Sequence, residues 1–202
     1  MFDDRDRRDA DDAVRFVITG QALFVATMLV CCAIEPSWPA LRCGLSYYGN
    51  GLPTVVPYVG GFALCIALSA AGLRRLRPHA VVSRKVRLSA ATVLALMVPI
   101  PLTPFRIDPV LDWLHLGAAS ILFAAGLAIG GWLALACLDD VRSRLLFALQ
   151  CLAAITMLTA EIGLDSYMIP GELAFQLLFA ALLVRAIRRV WAGRPVELAG
   201  QR

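Results

Sequence analysis

The chain has 202 residues, 59% of them hydrophobic, and a mean hydropathy of +0.73, against roughly 45–50% apolar content in a soluble domain. A protein of this size has too little interior to hide so many apolar side chains, so lipid must solvate many of them. The net charge of +4 is confined to short connections and tails, a pattern that suits anionic lipid headgroups and excludes nucleic acid as the expected partner.

Residues 1–14 alternate acid and base from Asp3 to Asp12 and predict a disordered cytoplasmic arm, with no cleaved signal. Six apolar stretches follow, at about 15–34, 53–73, 88–103, 110–138, 145–164 and 169–190, and residues 191–202 form a second cytoplasmic tail. Roughly 20 helical residues at 1.5 Å each cross ~30 Å of hydrocarbon. Each stretch must be helical, because an apolar segment in lipid has to satisfy its own backbone. Pro53, after the turn-prone Gly49-Asn50-Gly51, opens the second helix. Pro99 and Pro101 stop the third early. Asp108 as N-cap and Pro109 at the first helical position open the fourth, which is long enough to tilt or protrude. Pro170 and Glu172 open the sixth, where an acid complements the helix dipole.

Basic residues sort by connection. Seventeen of the nineteen fall in the N-terminal arm, the second and fourth connections and the C-terminal end; only Arg42 and Arg106 fall elsewhere. The positive-inside rule then places both termini in the cytoplasm. The expected fold is all-α: a polytopic protein of the cell inner (plasma) membrane, with six transmembrane helices in a compact bundle.

The polar residues near the spans gather toward the other side. Glu35, Asp108, Asp112, His115, Glu161, Asp165 and Glu172 all map there, with Tyr47, Tyr48, Asn50 and Gln176. Asp112 and His115 share a face of the fourth helix, as Glu172 and Gln176 do on the sixth. Ionisable groups at membrane depth are costly and point to function. The expectation is therefore an outward pocket lined by helices four, five and six, with Asp112, His115, Glu161, Glu172 and Gln176 as its ligand-binding residues. Against each stands a plainer role: Asp108 as a cap, Glu172 as a dipole-compensating acid, Glu161 as a helix-pairing group.

Several chemistries are excluded. The two histidines, His79 and His115, map to opposite sides of the bilayer, so no multi-histidine metal site forms. No Cys-x-x-Cys, Gly-x-Ser-x-Gly or phosphate-binding glycine loop occurs, and no cofactor is expected. Ser120 reads as a packing residue rather than a nucleophile. Cysteines 31, 32, 65, 137 and 151 lie in apolar segments as small hydrophobes, while Cys43 is close enough in sequence to reach Cys31 or Cys32 as a disulfide. Gly126 and Gly130 form a Gly-x-x-x-Gly pair that lets helices approach, within the bundle or across a homo-oligomer.

Leu45-Ser46-Tyr47-Tyr48-Gly49-Asn50, Pro99-Ile100-Pro101-Leu102-Thr103-Pro104 and Leu114-His115-Leu116-Gly117-Ala118 resemble segments of the bacterial six-span family called domain-of-unknown-function family 998. More distantly, the chain resembles the eukaryotic DRAM-type six-span proteins. The resemblance implies a six-helix bundle with a polar outward face and no catalytic residues, and the eukaryotic proteins' link to lipid distribution points toward lipids. The leading expectation is non-enzymatic binding of a lipid or small amphipathic molecule from the outer leaflet. The alternatives are a substrate-binding subunit of an uptake transporter, a scaffold subunit, and a lipid hydrolase using His115 as base and Asp112 as its orienter. The last lacks a nucleophile and an oxyanion site in the sequence.

Overall fold

A backbone in hydrocarbon must bond to itself, and this chain does so as helices. The computed structural model describes residues 4–36, 43–78, 80–104, 107–161 and 168–191. In chain order the long helices are α1 (Asp4–Ile34), α2 (Leu52–Arg75), α3 (Val81–Met97), α4 (Pro109–Trp132), α5 (Val141–Glu161) and α6 (Met168–Trp191). A 3-10 turn (Leu45–Gly49) precedes α2, a helical turn (Pro99–Leu102) follows α3, and a π turn (Leu133–Leu138) extends α4. α3 ends at Met97, just ahead of Pro99, and the turn that follows closes with Thr103 N–H bonding back to the Pro99 carbonyl at 3.0 Å.

Among the described residues, five stretches are long and apolar enough to cross a membrane: Arg5–Ile34, Leu52–Arg75, Val81–Leu102, Pro109–Leu138 and Val141–Thr159. Large apolar side chains on them point outward, Trp113 at 77% exposed and Leu158 at 63%, which suits lipid and would burden a water-soluble surface. The sixth expected stretch is helical as α6 but is not among those five. It is the inner helix of the bundle, packed against α1, α3, α4 and α5 and buried at intervals from Ile169 to Trp191. Its last turns carry Arg185, Arg188 and Arg189.

Two boundaries differ from the sequence expectation. The N-terminal arm is not disordered through residue 14 but helical from Asp4. Asp6, Asp9, Asp11 and Asp12 lie toward the positive end of the helix dipole. Ala10 and Ala13 are buried where Gly72 lets α2 approach; a Cβ on Gly72 would lie 2.9 Å from the Ala13 carbonyl oxygen. Likewise α3 begins at Val81 rather than near 88, so Arg84, Lys85 and Arg87 ride on its first turns. There the Ser83 hydroxyl accepts the Ala80 N–H at 3.0 Å.

All six cysteines are free thiols, so the Cys43 disulfide does not form; Cys32 Sγ instead accepts the Tyr48 hydroxyl at 3.2 Å. The Gly126–Gly130 pair is occupied inside the chain. Gly126 lies under the Phe175 ring of α6 and Gly130 under the Gln150 amide of α5, and Gln150 Nε2 donates to the Gly126 carbonyl at 3.3 Å. Self-association through this face is an expectation from sequence alone.

The described arginines lie toward one end of the bundle, called here the basic end. Arg185 donates to Asp140 at 2.9 Å and to Ser143 Oγ at 3.1 Å, and Trp191 Nε1 donates to the Arg77 carbonyl at 3.0 Å. The opposite, distal end holds the polar cluster.

Candidate functional site at the distal end

Asp108 is the cap the sequence suggested: its carboxylate accepts from Val110 N at 2.8 Å and Leu111 N at 3.3 Å, starting α4 at Pro109. That start sets the helix phase, which turns His115 inward, 5% exposed. The His115 Nδ1 lies 2.7 Å from the Thr103 carbonyl oxygen and Nε2 lies 2.7 Å from Ser46 Oγ. A carbonyl only accepts, so Nδ1 carries the proton and donates to Thr103. Nε2 is then the lone-pair nitrogen, and the Ser46 hydroxyl donates to it. The imidazole thus bridges the turn after α3 and the 3-10 turn before α2. Asp112 acts on it only through space; the Thr103 carbonyl orients the ring in the place the hydrolase alternative gave to Asp112.

Glu172 sits in the first turn of α6 but does more than offset a dipole. Its Oε2 accepts the Leu45 N–H at 2.6 Å, anchoring the N-terminal end of the 3-10 turn that carries Ser46. Gly44 makes room for this. Its φ of +82° lies in the region that favours glycine, and a Cβ there would come within 2.9 Å of Glu172 Oε2. One turn deeper, Gln176 Nε2 faces Met97 Sδ at 3.8 Å. The Tyr58 ring packs on Gly49, and its buried hydroxyl lies within hydrogen-bonding reach of Ser46 and electrostatic reach of Glu172.

Beneath this cluster is a cavity of about 60 Å³. Ser46, Glu172 and Gln176 are its polar wall; the rest is apolar, including Phe62, Met97, Phe123 and Phe175. Its walls come from α1, α2, α3, α4 and α6, and none of the described side chains of α5 lines it, unlike the expected helix-four, -five and -six pocket. A larger groove of about 500 Å³ runs between α4 and α5 on the outside of the bundle, past Leu116, Ser120 and Leu158. The two share Ala119 and Phe123 as a common wall.

Of the five residues predicted for the site, Glu172 and Gln176 line the cavity and His115 reaches it through Ser46. Asp112 stays at the rim, and the Glu161 side chain, like Asp165, lies outside the described residues. Sequence reasoning missed Ser46, Thr103 and Tyr58 as partners. Their hydroxyls are unremarkable in any one segment, and the Ser46–His115 contact joins residues 69 positions apart. Among the described residues no three His, Cys, Asp or Glu side chains come together as a metal site.

Comparison with family models, with curated proteins and with solved structures returns no match. The functional reading therefore rests on this geometry and on the membrane character of the helices.

Proposed function

We propose that the protein binds a lipid or small amphipathic molecule at its distal end, as a six-span protein of the cell inner membrane with both termini in the cytoplasm. One observation carries this reading: polar groups from Ser46, Glu172 and Gln176 meet at one side of an otherwise apolar cavity, next to a lipid-facing groove. Such a division, apolar walls with a few convergent polar groups, is what an amphiphile requires. The headgroup would bond to the Ser46 and Glu172 side, and the chain would lie along Phe123 and the groove beyond. Six spans are needed to return α6 to the arginine-bearing side, and the concentration of Lys and Arg at one end supports the orientation.

Thermal unfolding in detergent across a lipid panel tests the binding. Selective stabilisation by a subset of lipids, reduced in Gln176→Leu, is expected; equal melting across the panel in both proteins counts against a pocket. An impermeant maleimide tests orientation, since Cys43 should label in intact cells. Labelling only after lysis would invert the topology.

A further inference from the structure

The pairing at Ser46 goes further than binding. Its Oγ lies 2.7 Å from His115 Nε2, the nitrogen left unprotonated because Nδ1 donates to the Thr103 carbonyl at 2.7 Å. A hydroxyl hydrogen-bonded to a neutral imidazole, itself oriented from its far nitrogen, is the arrangement by which serine is activated as a nucleophile. The third group of such a constellation here is a backbone carbonyl rather than a carboxylate. It fixes the tautomer equally well but stabilises the imidazolium less.

Two further features complete the set. The Tyr58 hydroxyl is buried and lies within hydrogen-bonding reach of the Ser46 hydroxyl. A buried O–H beside Ser46 can donate to an oxyanion forming there. Ser46 also lines the cavity, whose Ala119 and Phe123 wall is shared with the lipid-facing groove. The groove and the cavity lined by Ser46 therefore adjoin at Ala119 and Phe123.

We propose that Ser46, His115 and Tyr58 form an acyl-transfer centre for carboxylic esters of acyl chains that enter laterally from the groove between α4 and α5. It rests on the lipid-binding reading only for the source of its substrate. In the first step the Ser46 Oγ–H proton passes to His115 Nε2 as Oγ bonds to the ester carbonyl carbon. The carbonyl π electrons move to oxygen, where Tyr58 donates its hydrogen bond. Collapse of this intermediate breaks the bond to the alcohol oxygen, which takes the proton from Nε2 and leaves. Water then adds to the acyl-serine by the same sequence, giving the carboxylic acid and restoring Ser46. Ester and water are consumed, acid and alcohol produced, and no redox partner is needed.

Ser120 gives an internal control. It also lies on the groove wall, carries the same hydroxyl, and has no histidine partner among the contacts described. The experiment treats the purified full chain with an alkyl fluorophosphonate and maps the adduct by peptide mass spectrometry, with p-nitrophenyl butyrate turnover in parallel. A single adduct on Ser46 is expected. It should be absent in Ser46→Ala, at least about 100-fold slower in His115→Gln, about 100- to 1,000-fold slower in Tyr58→Phe, and unchanged in Ser120→Ala. No adduct on Ser46 of the folded protein, or an equal rate in His115→Gln, overturns the proposal. Failure of the binding reading looks different: lipids then give no selective stabilisation while the short soluble ester still acylates Ser46. Conversely, selective lipid stabilisation of the wild type with no adduct on Ser46 leaves a binding protein and ends the acyl-transfer reading.

Discussion

At its distal end α6 is fastened by a carboxylate that accepts a backbone N–H. At its basic end it is fastened by guanidiniums that hold a carboxylate. The distal bonds, Glu172 to Leu45 and the nearby His115 bridge, lie among buried or half-buried groups, where a broken partner is only partly resolvated. The basic-end bonds join Arg185 and Arg189 to Asp140, with the side chains about a third exposed, so water and salt screen them. The same helix is thus tied by short-range hydrogen bonds at one end and by charge at the other. Desolvated bonds are costly to lose, and screened ones are adjustable.

This difference is sharpest at His115. Replacing it with alanine removes the ring and strands both Ser46 and the Thr103 carbonyl, so His115→Ala is expected to destabilise by about 2–4 kcal/mol. Thermal unfolding in one detergent checks this, and His115→Gln, which keeps one bond, should recover part of the loss. Next in size is Gly44→Ala. It forces a Cβ into a left-handed backbone position against Glu172, costing about 1–3 kcal/mol. Glu172→Ala in the same background should add less than its effect in wild type, because both changes break one contact. A double-mutant cycle that sums without coupling would place Glu172 elsewhere.

The basic end should respond to pH through Asp140. Burial by itself would raise the Asp140 pKa, but the Ser143 hydroxyl and N–H and the Arg185 guanidinium outweigh it and hold the carboxyl below its ordinary value of 3.8. A lowered folded-state pKa stabilises fully above the unfolded value and is lost as pH falls through the lower folded value. The gap in melting temperature between wild type and Asp140→Asn should therefore be constant from pH 8 to pH 5 and close only below the ordinary carboxylate range. Added salt should narrow it at neutral pH. An effect that peaks near pH 6 would implicate another group.

Smallest of all is the pair between Arg75 and Asp12 at 2.9 Å, with side chains 49% and 42% exposed. Arg75→Ala should change stability by no more than about 0.5 kcal/mol. What Arg75 loses beyond the ion pair is its stacking over the Phe16 ring at 4.8 Å, also at the surface. A loss larger than this would mean that the docked N-terminal arm contributes far more than its exposed contacts account for.

Helical class, helix order and the segregation of charge were legible in the sequence because they are local or additive. Apolar runs must form helices in lipid, proline and aspartate mark their own helix starts, and arginines sum by connection whatever touches them. Asp108 is the clearest instance, since a cap acts on the next few residues of the same chain. The placement of Glu172, Gln176 and His115 at one end was legible for the same reason. What each residue bonds to was not. Nothing near Glu172 in sequence names Leu45, and nothing near His115 names Ser46 or Thr103, because those partners are supplied by the packing of other helices. Only the tertiary structure decided that Gly126 and Gly130 face inward, that α6 is the central helix, and that a serine, a histidine and a tyrosine from three separate segments meet beside an apolar cavity. Periodicity tells which face of a helix is turned away from lipid; it does not tell which neighbour fills the space there.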